Sequence, residues 1–173
     1  LFIGRLVQDK NILTLLNAFS IVAKKFENSS LHIVGDGPLR DAIVSKVRDH
    51  NLIGRVSIYG ATAPIQQICD SNLLVLPSNL EAFGLVLLEA AACNTDVICS
   101  NNVPFEELFI DKISSFDAGC TDDIAKTIIS KILSPTPKSV LNARQRYVLE
   151  RYSDEQVCNL WLSQYLTLVS EKI

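Results

Sequence analysis

The sequence predicts an α/β domain, a doubly wound parallel sheet of Rossmann type with helices on both faces. Three observations carry that expectation. Short apolar runs alternate with longer amphipathic stretches along the whole chain, the pattern of strands joined by crossover helices. Hydrophobic residues make up 48% of the composition and aromatics only 7%, as expected of aliphatic strands buried on both faces. Glycine closes several of the apolar runs, at Gly4, Gly35 and Gly60, where a strand must give way to a loop. At 173 residues the chain reads as a single domain, 1–173. That length buries roughly 70% of the unfolded surface, enough for a core without disulfides.

The elements follow in order. Leu1–Ile3 is a short strand. Lys10 to Phe26 is a helix, because Ile12, Leu16, Phe19, Ala23 and Phe26 fall on one stripe. Leu31–Val34 is a strand, and Pro38 then opens a helix that runs to His50, proline being well suited to a first helical position. Val56–Tyr59 is a strand, Pro64 to Cys69 a short helix, and Leu73–Leu76 a buried strand stopped by Pro77. Gly84 to Cys93 is a helix, Asp96–Cys99 a strand and Pro104–Phe109 a short helix. Ser114–Phe116 is a last strand, and Asp122–Leu133 a helix capped by Thr121. Ser134-Pro-Thr-Pro137 reads as a simple hinge. Ser139–Arg151 and Ser153–Val169 close the chain as helices, the second with a Ser153/Gln156 capping box. Its stripe of Val157, Leu160, Trp161, Tyr165 and Leu168 fits core packing or docking to a further domain.

Several function classes are excluded. A net charge of −3 argues against a nucleic-acid binder. Five scattered cysteines without a Cys-x-x-Cys pair, and only two histidines, leave no metal site; the cysteines read as small buried thiols in a reducing cytoplasm. His32, inside a strand, and His50, at a helix end, read as structural. No apolar run reaches the ~18–20 residues of a membrane span. The chain opens in mid-strand and holds no methionine, so it reads as a piece of a larger protein cut at a domain boundary.

The unusual chemistry lies in Glu81-Ala-Phe-Gly-Leu-Val-Leu-Leu-Glu89. Two carboxylates stand eight residues apart around a glycine in an apolar run. A buried acid costs several kcal/mol unless something polar meets it, so this stretch is expected to face a hydroxyl-rich ligand such as a sugar. Phe83-Gly84-Leu85 opens the helix that carries Glu89, and exposed amides at a helix start attract phosphate or sugar oxygens. Glu89 lies one turn beyond Leu85 on the same side, placed to accept hydrogen bonds from vicinal hydroxyls. Arg5 and Lys10 put two cations in the first strand-to-helix loop, a spacing that can bracket a diphosphate. In a Rossmann-type sheet the first and fourth strands flank the switch point, outside which ligands sit. Both segments therefore converge on one place. Gly35-Asp-Gly37 lacks the third glycine of a dinucleotide fingerprint, Arg40 standing there, and reads as a tight loop lining the pocket.

With these residues in place, the chain resembles the C-terminal, donor-binding domain of family four glycosyltransferases, retaining enzymes of the two-domain GT-B fold. The strings that carry the resemblance are Phe2-Ile-Gly-Arg-Leu6 with Lys10-Asn11, Leu31 to Arg40, Val56-Ser-Ile-Tyr-Gly60, and Leu74-Val-Leu-Pro-Ser78 leading into Glu81–Glu89. The resemblance implies a nucleotide-sugar donor, UDP-, GDP- or ADP-linked, and a hexosyl transfer to an acceptor glycan or lipid in polysaccharide, glycolipid or glycoconjugate synthesis. It implies that Arg5 and Lys10 hold the donor diphosphate and stabilise its departure. Glu81 and the Phe83–Leu85 backbone would contact the donor sugar and distal phosphate, with Glu81, Arg5 and Lys10 the catalytic set. Glu89 would bind the ribose. Gly4 would let the backbone approach, the Gly60 loop would lie near the base, and the Gly35 loop would form a further wall. No cofactor or metal ion is implied.

The acceptor-binding N-terminal domain is expected to lie outside this chain, so the isolated chain is expected to bind donor and transfer nothing. The parent is expected in the cytoplasm, with peripheral contact at the cytoplasmic membrane face allowed. The sequence departs from the family where Asn94 replaces glycine, Asp96 replaces proline, and Asn101-Asn102 replaces a glycine pair before Pro104-Phe-Glu106. The Asn101-Asn102 departure leaves open a non-catalytic nucleotide-sugar binding subunit, and a sugar-nucleotide epimerase of similar architecture is a second alternative.

Overall fold

The computed structural model describes residues 1–105, 109 and 111–170. The elements run β1 (Phe2–Ile3), a 3-10 turn (Gln8–Lys10), α1 (Ile12–Lys25), β2 (Leu31–Val34), α2 (Arg40–Asp49), β3 (Val56–Tyr59), α3 (Ile65–Cys69) and β4 (Leu73–Leu76). They continue with α4 (Leu85–Ala92), β5 (Asp96–Ser100), β6 (Ser114–Phe116), α5 (Thr121–Leu133), α6 (Lys138–Tyr152) and α7 (Asp154–Ser170).

The strands form two parallel ladders, β1-β2-β3 and β4-β5-β6. Phe2 pairs with Ile33, Leu31 with Val56, Leu73 with Asp96 and Ile98 with Ser114. Two hydrogen bonds join the ladders edge to edge. The Val75 amide donates to the Leu1 carbonyl at 2.9 Å, and the Leu1 amine donates to the Leu73 carbonyl at 2.8 Å. The strands therefore lie in the order 3-2-1-4-5-6, with the reversal between β1 and β4. All point the same way, so the loops after Ile3, Val34, Tyr59, Leu76 and Ser100 leave from one end.

Each face of this sheet has its own core. On one side α1 buries Ile12, Leu15, Leu16, Phe19, Val22 and Ala23 against Ile33, Ile98 and the Ile124 and Ile128 side chains of α5. On the other, Leu87, Leu88, Ala90 and Ala91 of α4 meet Leu74, Leu76, Val97 and Val148 of α6. At about 25 cal/mol per Å² of apolar surface, stripes of this kind supply the main drive to fold.

Several element ends differ from the sequence reading, each for a local reason. Helix α1 starts at Ile12 because Asn11 is left-handed (φ 54) and separates it from the 3-10 turn. Pro38 lies in a turn and α2 starts at Arg40, because the Leu39 amide bonds the Leu6 carbonyl at 3.0 Å. Thr121 is the first residue of α5 and Cys120 its cap position, without a capping side chain; Asp122 and Asp123 in the first turn offset the helix dipole instead. Half of the Ser153/Gln156 box forms, the Gln156 amide reaching Ser153 Oγ at 3.5 Å. The expected Pro104–Phe109 helix falls across residues 106–108, outside the described residues. Asn94 is left-handed (φ 64), the conformation in which it can stand for glycine.

One expectation is overturned, and one of a pair of alternatives is removed. Of the five cysteines only Cys99 is buried, and burial pushes its thiol up to about 12; Cys69 and Cys158 are exposed. The α7 stripe is not core: Val157 is 38% and Tyr165 64% exposed, with Leu160 and Trp161 between them.

The Ser134–Pro137 linker is pinned rather than hinged. The Thr136 hydroxyl donates to Asp96 Oδ2 at 2.6 Å, and Lys131 Nζ donates to Thr136 Oγ1 at 2.7 Å. Asp96, 6% exposed, also meets Lys131 at 3.1 Å and Arg144 at 3.0 Å. Arg144 reaches on to Asp111 at 2.7 Å. Burial by itself would raise the Asp96 pKa, but the Thr136 hydrogen bond and the two cations outweigh it and hold it below the ordinary 3.8. Burial likewise opposes the Arg144 charge, and the two carboxylates more than restore it.

Because the folded-state pKa of Asp96 is depressed, its stabilisation is fully present above 3.8 and is lost as pH falls through the lower folded value. Asp96→Asn should cost about 3 kcal/mol near neutrality, since it strips a partner from buried charges. It should also flatten the loss of melting temperature between neutral pH and acid below 3.8; thermal melts of both proteins across that range check this. A second outcome concerns glycines. A Cβ at Gly35 would stand 1.9 Å from the Gly4 carbonyl oxygen, whereas one at Gly60 meets nothing within 4 Å. Gly35→Ala should therefore destabilise by more than about 2 kcal/mol and Gly60→Ala by less than about 0.5 kcal/mol in urea unfolding.

Candidate functional site

The site is built where the loops after β1, β2 and β4 leave the sheet. The first two are zipped together by backbone. The Gly4 amide bonds the Val34 carbonyl at 3.0 Å, the Leu6 amide bonds Asp36 at 2.9 Å, and Leu39 returns to Leu6. The loops approach so closely that neither Gly35 nor Gly37 has room for a side chain, the latter's Cβ falling 2.6 Å from the Leu6 carbonyl oxygen. Gly35 thus supports the first loop from behind. Arg5 sits between two anchored amides with its side chain exposed and no hydrogen-bond or ion-pair partner among the described residues.

The first loop is also tied to the β4 loop. The Asn79 amide donates to the Asp9 carbonyl at 2.8 Å. One residue on, Lys10 Nζ lies 2.5 Å from Glu81 Oε2, with the two side chains 18% and 17% exposed. Ser78, fully buried, donates its hydroxyl to the same carboxylate oxygen at 3.2 Å. Its carbonyl in turn accepts the Ser100 hydroxyl of β5 at 2.6 Å. Asn11 holds the start of α1 by accepting the Thr14 hydroxyl at 2.6 Å and donating to the Ala118 carbonyl.

Three residues past Glu81, Gly84 adopts a left-handed conformation (φ 80) at the start of α4, which glycine takes without strain. It is buried against Leu76, Leu87 and Val103. The chain can then turn sharply from the Glu81 loop into the helix, whose first amides have no carbonyl a turn before them. Phe83 rests edge-on against Tyr152 of α6, ring centroids 6.4 Å apart, while Leu85 is 63% exposed.

Glu89 corrects the expectation of two buried acids. Its side chain is exposed and makes no hydrogen bond or ion pair among the described residues, while Glu81 is paired with Lys10. The helix is apolar on the face toward Leu76 and Val97 and open on the other, so Glu89 bears little desolvation cost. The structure thus brings Lys10, Glu81 and the Gly84 turn together, and leaves Arg5 and Glu89 as uncommitted charges. Among the described residues no hydrogen bond or ion pair joins the Gly60 loop to any of them. Ser78 and Ser100 were missed by the sequence reading, because a small hydroxyl at a strand end carries no signal until its partner, 22 residues away, is known. The charge cluster around Asp96 was missed for the same reason.

A cavity of about 210 Å³ lies at the other end of the sheet, among Leu1, Phe19, His32, Asp70, Asn72 and Ile128. It opens at the amino ends of the strands, away from the charges, and is not the site. Among the described residues no group of three or more His, Cys, Asp or Glu could hold a metal ion. No described helix is long and apolar enough to cross a membrane.

Comparison with known proteins places this arrangement. Residues 1–148 match the family of glycosyl transferases group 1. The chain is 26% identical over 168 residues to the poly(ribitol-phosphate) alpha-N-acetylglucosaminyltransferase of Staphylococcus aureus, covering 94% of this chain and 34% of that protein. It is 31% identical over 104 residues to the glycogen synthase of Mycobacterium tuberculosis, covering 58% of this chain and 25% of the other. In structure it is similar to the pneumococcal O-GlcNAc transferase crystallised with UDP and GlcNAc, with a TM-score of 0.82 at 20% identity over 97% of this chain and 35% of that one. The chain therefore spans about a quarter to a third of these relatives' length. The family match over most of the chain, and a Rossmann-like sheet with its paired charges at the switch point, lead to one conclusion: the chain belongs to the glycosyl transferases group 1 family.

Proposed function

We propose that this chain is the donor-binding half of a glycosyltransferase that moves a sugar from a nucleoside diphosphate to an acceptor hydroxyl on a glycan or lipid, with retention at the anomeric carbon. The observation that carries the reading is the Lys10–Glu81 pair set beside the open first turn of α4 at the β1/β4 switch point. In this reading Arg5, Lys10 and the α4 amides meet the diphosphate, and charge that builds on it as it departs is met by groups already in place. No metal ion is assigned a part. The Glu81 carboxylate and the Phe83–Leu85 backbone face the sugar and distal phosphate, and exposed Glu89 accepts the ribose hydroxyls. UDP, bound in the pneumococcal structure, heads the nucleotides to try.

The length of the relatives and the exposed apolar stripe of α7 support a second domain that brings the acceptor. A protein of this kind, drawing on cytoplasmic donors, would work in the cytoplasm or at the cytoplasmic face of a membrane. Without the opposing domain the chain lacks the means to hold two substrates together and exclude water.

Calorimetric titration of the chain with UDP, GDP and ADP tests this reading. One of them should bind weakly, the affinity should be unchanged by EDTA, and no sugar should be transferred to any acceptor. Binding of none would overturn the donor assignment, and transfer by the purified chain would show the catalytic machinery to be misplaced. Glu89→Gln should weaken the binding at least about tenfold at unchanged melting temperature, since a charge-assisted hydrogen bond is worth about 1.5–3 kcal/mol. A fall in melting temperature with affinity intact would make Glu89 a structural acid instead.

A further inference from the structure

The cation offered to the diphosphate is already half neutralised. Lys10 Nζ stands 2.5 Å from Glu81 Oε2, and both side chains are less than a fifth exposed, so their charges act through a medium poorer in water than the surface. The geometry is held from both sides. Backbone binds the Lys10 turn to the β4 loop through Asn79 and Asp9, while Ser78 fixes the carboxylate and Ser100 fixes Ser78. An anion that reaches Lys10 therefore also comes close to a negative charge that has no easy way to swing aside.

This cost is not the same for substrate and product. A terminal phosphate has a second pKa of about 6, so at neutral pH a free nucleoside diphosphate carries roughly one more negative charge than the same diphosphate esterified to a sugar. The carboxylate repels the more highly charged species more strongly, and it can accept hydrogen bonds from sugar hydroxyls that only the intact donor brings. Resting on the donor-binding reading above, we propose that Glu81 is a specificity-determining residue that, acting through Lys10, favours the intact sugar nucleotide over its spent nucleoside diphosphate. The lysine attracts both ligands and the glutamate sets the difference between them, which keeps the product from occupying the site.

The test compares Glu81→Gln with the parent chain by calorimetry at pH 7.5, using whichever of UDP, GDP and ADP binds best and the glucose ester of that nucleotide. Glutamine preserves size and a hydrogen-bonding oxygen and removes only the charge. The free diphosphate should bind about threefold tighter or more in the variant, the scale of a partly exposed charge pair, and the ester should gain less or lose affinity. In a Lys10→Met background the same substitution should change the diphosphate affinity by a clearly different factor, because one partner of the coupled pair is gone. Glu81→Ala, with melting temperature monitored, should repeat the tightening and shows that charge rather than the amide is responsible. Equal or weaker diphosphate binding in folded Glu81→Gln would overturn the proposal and make Glu81 a tether for Lys10. Equal gains for both ligands would overturn it as well, as would a gain that is the same with and without Lys10. If the parent chain binds no nucleoside diphosphate, the donor-binding reading itself fails, and this inference falls with it.

Discussion

Two hydrogen bonds between β1 and β4 decide this structure. Neither ladder of three strands has a switch point without the other, and both hydrophobic cores run across the seam between them. The contacts of Leu1 with Val75 and Leu73 set the ladders side by side, and β1 becomes a central strand although only Phe2 and Ile3 have ladder partners. Everything chemical follows from that adjacency. It brings the loop after β1 beside the loop after β4, and only then can residues 71 positions apart in the chain, Lys10 and Glu81, form an ion pair.

The loops at this end are held by backbone more than by side chains. Gly35 and Gly37 have no Cβ because carbonyl oxygens of Gly4 and Leu6 occupy that space. Backbone-to-backbone packing of this kind is stiff, since nothing can rotate out of the way. It leaves the side chains of Arg5 and Lys10 to serve charge rather than packing. Opposite in character is the anchor at the other end of β5, where Asp96, Arg144, Asp111, Lys131 and Thr136 make an ionic cluster with Asp96 and Arg144 buried at its centre. That cluster ties β5, the α5–α6 connection and α6 into one unit, and α6 in turn supplies Tyr152 against Phe83 beside the α4 turn. The desolvation of five polar groups is repaid only because each finds a partner.

Much of this was legible in the sequence. The short apolar runs at Leu31, Val56 and Leu73 match strands to the residue; Leu73–Leu76 is aliphatic throughout, as befits a strand buried on both faces, whereas His32 and Ser57 interrupt the other two runs. Strands alternating with helices forced a parallel sheet with right-handed crossovers, and the Rossmann type supplied the expected reversal between the first and fourth strands. The glycines and the Glu81–Glu89 spacing marked the functional end before any contact was known. Helix starts were legible only to within a turn, since Asn11 and Leu39 take conformations set by partners elsewhere in the chain.

The sequence by itself therefore determined the fold class, the strands and the end of the sheet at which the chemistry gathers, because those depend on local periodicity and on rules of chain connection. Tertiary structure alone decided which charges are spent and which remain free. Glu81 and Glu89 look alike in the sequence, but one is paired and the other exposed. Asp96 reads as a departure in a strand and is a hub for two cations. Burial and pairing are properties of what lies across a gap in space, and a charge has no fixed meaning until the group facing it is known.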